Sequence, residues 1–153
     1  MQTPACTIRI ATPDDLLAVL AIITSGKVQP NPTVANEPLH AYVETLAAIQ
    51  SSQSSQVLVA EIGGKVVGTF QLTFLYNLAG AGHPDSMVEG VHVDPTFRSQ
   101  GIGTQMMLWA IATARAKSCC RISLTTNKVR VDAHRFYRNL GFQPTHEGMR
   151  INL

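Results

Sequence analysis

Hydrophobic and polar positions alternate and cycle along the chain in a readable order. Thr7-Ile8-Arg9-Ile10 alternates with period two and predicts an opening strand. Thr12-Pro13-Asp14-Asp15 then reads as a helix start, with a capping hydroxyl, proline at the first helical position and acids in the first turn. That helix runs to about Ser25 and stops at Gly26. Pro30, Pro32 and Pro38 mark a loop around 29–37, and Leu39, Val43, Leu46 and Ile49 recur at helical spacing to predict a second helix over 39–49. The polar stretch 50–56 reads as a short linker.

Val57 to Ile62 and Lys65 to Leu75 read as a hairpin hinged at Gly63-Gly64, since a two-residue turn of this kind needs positive φ. Residues 78–86, with Gly80, Gly82 and Pro84, read as a loop. A strand at 87–93, a helix at 102–117, a strand at 121–125, a helix at 131–140 closed by Gly141 and a last strand at 149–153 follow. The order β-αα-ββ-β-α-β-α-β predicts one α/β (α+β) domain over 1–153 with a mixed, partly antiparallel sheet.

Composition narrows the class without naming a function. A chain of 153 residues is one ordinary domain, able to bury about 70% of the surface its unfolded form exposes. Net charge is +2 with 14% charged residues, so no basic tract grips a nucleic acid. The longest apolar run, Leu16 to Ile23, is far short of the roughly 20 residues of a membrane span. The start, Met1 to Ala5, carries no secretory pattern, which makes a cytoplasmic location the expectation. Cys6, Cys119 and Cys120 form no disulfide framework and no zinc spacing, and the five histidines are scattered, so no metal is expected.

The stretch Val91-His92-Val93-Asp94-Pro95-Thr96-Phe97-Arg98-Ser99-Gln100-Gly101-Ile102-Gly103-Thr104 carries the chemistry. It reads as a strand, a proline-marked turn and a glycine-studded helix start. The first N–H groups of a helix lack partners and sit at its positive end, so they suit a phosphate. Gly101 and Gly103 lack the β-carbons that keep a phosphate from the backbone, and Arg98 adds charge. The spacing is neither a P-loop nor a dinucleotide fingerprint. Helix packing alone is the competing reading of the two glycines.

V-x-V-D-P-x-x-R-x-x-G-I-G resembles the acyl-CoA signature of the GNAT superfamily of N-acetyltransferases. Leu124-Thr125-Thr126-Asn127 followed by Ala133-His134-Arg135-Phe136-Tyr137-Arg138-Asn139-Leu140-Gly141-Phe142 is similar to the family's second block. The resemblance implies the GNAT fold: a mixed, mostly antiparallel sheet of six to seven strands, about four helices, and a splayed strand pair that admits acetyl-CoA. It implies a cosubstrate site made by Val91, His92 and Val93, by Arg98, Ser99, Gln100, Gly101, Ile102, Gly103 and Thr104, and by Asn127, His134 and Tyr137. In it the pantetheine arm pairs with the backbone of Val91 and Val93, and Asn127 bonds its amide.

The implied reaction moves acetyl from the thioester to the primary amine of a small molecule. Tyr137 matches the family's thiolate partner, although Ala133, Phe136, Tyr137 and Leu140 also share one helical face and fit a core role. Glu89 is the expected base, because a carboxylate held among apolar residues becomes a stronger base; His92 and His83 are the alternatives. Alternation separates Glu89 from His92 unless a bulge at Gly90 swings His92 round.

The acceptor site is expected in the loops 27–37 and 76–86, with His40, Tyr76, His83 and Asp85 as linings. Within the family the motifs are most similar to bacterial small-amine acetyltransferases, aminoalkylphosphonate enzymes among them. The Ala79-Gly80-Ala81-Gly82 loop departs from these in lacking bulky or basic anchors, so phosphonate recognition is not carried over. A protein lysine or amino-terminal acetyltransferase and a non-catalytic CoA-binding regulator are the competing functions. Family members are often homodimers, and a last strand ending at Leu153 is one place for that contact.

Overall fold

The computed structural model describes residues 4–26 and 38–151. Five strands form one sheet in the order β1-β2-β3-β4-β5: β1 (Thr7–Ile10), β2 (Ser55–Ile62), β3 (Lys65–Leu75), β4 (Asp85–Val93) and β5 (Ile122–Leu124). Strands β1 to β4 are antiparallel to their neighbours, while β5 runs parallel to β4. Four α-helices accompany them: α1 (Leu16–Ser25), α2 (Leu39–Ser51), α3 (Ile102–Ala116) and α4 (Val131–Asn139). None is long and apolar enough to cross a membrane among the described residues.

The sheet carries a hydrophobic cluster on each face. Leu58, Ala60, Phe70, Leu72 and Val88 pack with Ile102, Met106, Met107 and Ala110 of α3. Val59 and Val66, pointing the other way, pack with Leu16, Val19 and Ile22 of α1 and Leu46 of α2. Both faces of β2 and β3 are therefore apolar, as expected of strands covered by helices on both sides. Gly68 belongs to the α3 side, where a β-carbon would press on Met106 Sδ.

The N-terminal corner is fastened by charge. Arg9 on β1 makes paired hydrogen bonds to Asp15 (2.6 and 2.9 Å) and reaches Glu61 on β2 at 2.7 Å. Those hydrogen bonds, with further ones from Thr12, hold the Asp15 carboxyl at about 2. The expected capping of the first helix is present, although its first turn, Pro13–Asp15, is a 3-10 turn.

Several expectations change. Among the described residues the sheet has five strands where six to seven were expected. Residues 149–151 form no strand, and Met149 and Ile151 stand exposed with no neighbouring strand among the described residues to cover them. Asn152 and Leu153 lie outside the described residues. The polar 50–56 linker shrinks, because α2 continues to Ser51 and β2 begins at Ser55; Gln50 bonds the Ala11 carbonyl and Ser55 bonds Thr73, which gives these polar residues regular partners. Within 78–86, Asn77 caps a 3-10 turn over Leu78–Gly80, and β4 begins early at Asp85. On α2 only Leu46 is fully buried, with Leu39 and Val43 exposed. The loop around 29–37 lies outside the described residues.

Candidate functional site

The site begins where β4 and β5 part. Their parallel pairing covers Ser86↔Ile122, Met87↔Ser123 and Val88↔Leu124 and then stops, although β4 continues to Val93. The resulting cleft, about 110 Å³, is walled on one side by Val88, Glu89, Gly90, Val91 and His92, and on the other by Leu124, Thr125, Thr126, Arg130 and Tyr137.

A bulge in β4 turns the backbone towards this cleft. Gln71 pairs with Glu89 and Thr69 with His92, so both Gly90 and Val91 stand opposite Phe70. Gly90 takes φ +58°, a conformation that costs glycine little. The Ser86 N–H donates to Arg121 O on the β5 side, whereas the Asp94 N–H donates to Val67 O on β3 (both 2.9 Å). These residues are an even number of steps apart and would face one way in an unbroken strand, so the bulge inverts the alternation. Val91 and Val93 consequently aim their main chain at the open side.

The same bulge decides where Glu89 and His92 go. Their partners Gln71 and Thr69 are alternate residues of β3, so Glu89 and His92 share a face, the α1 side of the sheet. His92 packs over the end of α1, where a β-carbon on Gly26 would overlap its ring. Glu89 is exposed, and the burial expected for it does not occur: the helices covering the middle of the sheet leave this end of β4 open.

Below the cleft the chain makes a tight turn into α3. Asp94 accepts hydrogen bonds from the Thr96 hydroxyl and N–H, which, with Lys65 nearby, hold its carboxyl below the usual range. Ser99 (φ +60°) and Gly101 (φ +78°) adopt left-handed conformations, the kind that curve backbone N–H groups into a concave anion nest. Gln105 N donates to Gly101 O as the first α3 bond, so the N–H groups of Ile102, Gly103 and Thr104 precede any helical acceptor. Arg98 Nε donates to Val93 O (3.1 Å), and neither Nη has a protein partner among the described residues. Gln100 bonds Thr96 O within the turn. Gly103 has a packing role: a β-carbon there would meet the Phe136 ring at 3.3 Å and Val93 at 3.8 Å.

Tyr137 comes from α4, in a cluster with Phe136 (ring centroids 5.0 Å apart) and Phe142 (5.9 Å). Burial pushes its hydroxyl up, opposed by the charge of Arg130, and the oxygen has no protein partner among the described residues. Tyr137 is thus both a core aromatic and a cleft-lining group.

Asn127 and His134 sit beside the cleft and brace its rim. Asn127 Oδ1 accepts from Val129 N (3.1 Å), and its carbonyl lies 3.0 Å from His134 Nε2. Thr126 and Arg130 line the cleft, and no sequence reasoning singled them out. Thr126 Oγ1 is buried without a hydrogen-bond partner among the described residues. Of the expected acceptor linings, Tyr76, His83 and Asp85 lie at the far end of β4. Asp85 is four residues before Glu89, roughly 13 Å along a strand, and is paired with Arg121 (2.9 Å). His40 is exposed on α2. A larger recess, about 450 Å³, lies between α1 and the β2–β3 turn, but its Asp15 and Asp94 are engaged with Arg9 and Lys65.

The sequence profile of the acetyltransferase (GNAT) family matches residues 24–142. An aminoalkylphosphonate N-acetyltransferase of Salmonella typhimurium is 33% identical over 144 residues, covering 94% of this chain and 88% of that protein. An aminoglycoside N(6')-acetyltransferase type 1 of Stenotrophomonas maltophilia is 26% identical over 147 residues, covering 95% of this chain and 91% of that one. Among solved structures, one described as a transcriptional regulator from Bacillus halodurans C-125 superimposes with a TM-score of 0.89 at 36% identity, covering 97% of this chain and all of that one.

Proposed function

The chain belongs to the acetyltransferase (GNAT) family, and from that premise we propose that it moves the acetyl group of acetyl-CoA to a primary amine of a small molecule, by direct attack in a ternary complex. The observation that carries this reading is the Tyr137 hydroxyl, without a partner among the described residues, on the wall of a cleft that faces the Val91 and Val93 main chain.

The residues fit acetyl-CoA. The left-handed turn 99–101, the N–H groups of Ile102 to Thr104 and the guanidinium of Arg98 hold the pyrophosphate. Because Arg98 already occupies the Val93 carbonyl, pairing with the pantetheine arm falls to Val91 and the Val93 N–H. Ser99 and Gln100 shape the turn, while Asn127 and His134 brace the rim.

A lysine-like amine, pKa about 10.4, costs about 4 to 5 kcal/mol to deprotonate at pH 7, so a base is the largest demand. Glu89 takes that role, with His92 on the same face of the sheet. As the nitrogen attacks the thioester carbon, the Val91 N–H stabilises the oxygen. The C–S bond then breaks, its electron pair goes to sulfur, the attacking nitrogen gives up its extra proton so that the thiol leaves as CoA-SH and the amide forms, and the Tyr137 hydroxyl hydrogen-bonds that sulfur.

The Salmonella relative's name supports a small acceptor amine; the Ala79–Gly82 loop supports an acceptor other than a phosphonate. A second reading, a CoA-binding regulator without turnover, takes its support from the description of the Bacillus structure. Thiol release from acetyl-CoA with a panel of a few dozen small amines separates them. Turnover with a narrow set of amines is the expected result. Tight CoA binding with no turnover supports the regulator, and turnover on peptides alone supports a protein acetyltransferase.

A further inference from the structure

The nest at 99–104 hangs on a thinly anchored turn. Between Pro95 and Gln100 only Phe97 is packed, against the cluster on the α3 side of the sheet, and the residues around it are exposed. Inside the turn, the Phe97 N–H donates to Asp94 O (2.9 Å), beside the bonds that Asp94 accepts from Thr96. What ties the turn to the body comes partly from β3. The two strands are antiparallel with Gly68 opposite Val93, so the start of β3 lies beside the residues that follow β4. There the Asp94 N–H donates to Val67 O (2.9 Å). Lys65, the first residue of β3, places its Nζ 4.8 Å from the centre of the Phe97 ring and 3.8 Å from Asp94 Oδ2. An ammonium is attracted both to a ring face and to a carboxylate, so this one side chain grips both ends of the turn.

We propose that Lys65 is a positioning residue for the cosubstrate: by holding Asp94 and Phe97 against β3, it keeps the turn, and with it Arg98 and the 99–104 nest, in the shape that receives the pyrophosphate. It acts through the turn and not by contact with the ligand. The inference rests on acetyl-CoA being the occupant of that nest. A site whose competent shape is populated only in part binds more weakly by that fraction, so loosening the turn raises Kd without altering the groups that meet the ligand. The pyrophosphate is common to CoA and acetyl-CoA, so both ligands are affected alike. Both Lys65 contacts are solvent-exposed, which makes the expected effect modest.

The test is a charge series at position 65, read by ligand titration and by hydrogen exchange of the free protein. Lys65→Met keeps an unbranched stem over Phe97 and removes the charge; it should raise Kd for CoA and acetyl-CoA by about three- to tenfold. Lys65→Glu, which repels Asp94, should raise it further, and Lys65→Arg, which keeps the charge over the ring, should bind within about twofold of wild type. In ligand-free Lys65→Met the Asp94 and Phe97 amides should exchange faster, with β2 unchanged and the melting temperature within about 2 °C of wild type. Affinity within about twofold of wild type in both Lys65→Met and Lys65→Glu would overturn the proposal. So would weaker binding with unchanged exchange at Asp94 and Phe97, which marks a direct pull of the ammonium on the phosphates, or weaker binding with a clearly lower melting temperature in Lys65→Met, which marks a fold-wide role. Wild-type protein that binds neither ligand overturns the acetyl-CoA reading and this inference together, whereas wild-type binding that all three variants share overturns this inference alone.

Discussion

Replacing Tyr137 by Phe removes one oxygen and leaves the ring packed between Phe136 and Phe142. The hydroxyl has no protein partner among the described residues, so the variant should keep the wild-type stability to within about 0.5 kcal/mol, the range of substitutions that break no internal bond. Its effect should fall on turnover. The leaving thiol has a pKa near 8.5 and departs readily, so the hydroxyl supplies a hydrogen bond to developing negative charge, about 1.5–3 kcal/mol. That corresponds to about a ten- to a hundredfold lower kcat. Because burial holds the hydroxyl above its ordinary value, it stays protonated, and the wild-type to variant ratio should be flat from about pH 6 to pH 9. The assay is thiol release at saturating acetyl-CoA over that range, beside urea unfolding of both proteins. A kcat within about twofold of wild type, or a ratio that closes below about pH 9, would refute the assignment.

Three further outcomes follow from particular contacts. Glu89→Gln should lower kcat for a turned-over amine by about a hundredfold or more while leaving CoA affinity unchanged; a kcat within about twofold of wild type moves the base to His92, His83 or a water chain. Asp15→Asn should cost about 2 kcal/mol near pH 7, since Arg9 lowers Asp15 from 3.8 to about 2. With the folded value lowered, that stability is present above about pH 4 and lost as pH falls towards 2, so unfolding curves of the two proteins should converge there. Gly26→Ala forces a methyl onto His92 and should destabilise by about 1–3 kcal/mol, with much of the loss recovered in Gly26→Ala/His92→Ala; additive losses would mean that the ring does not rest on Gly26.

Periodicity made most of the elements legible. The Gly63-Gly64 turn, with φ +56° and +81°, and the β4 strand running into α3 stand where alternation and glycine placement put them. Gly90 also announced the bulge that brings His92 to the Glu89 face. What sequence left hidden depends on partners far along the chain. Glu89 looked buried among apolar neighbours, yet burial depends on which helix covers that stretch of sheet. Gly103 looked like phosphate clearance, yet the Phe136 ring sits against it across the helix–helix contact. The 149–151 segment alternates like a strand but finds no neighbouring strand among the described residues. Thr126 stood inside the Leu124–Asn127 block, yet nothing in the pattern marked its hydroxyl, because an unmet hydroxyl is defined by what fails to surround it.

Hydrogen exchange with and without acetyl-CoA tests the central claim most directly. Occupation of the splayed cleft predicts strong added protection at the amides of Val91, Val93 and the turn 99–104, with β1 and β2 unchanged. Protection confined to the recess beside α1, or none anywhere on saturation, would contradict the account.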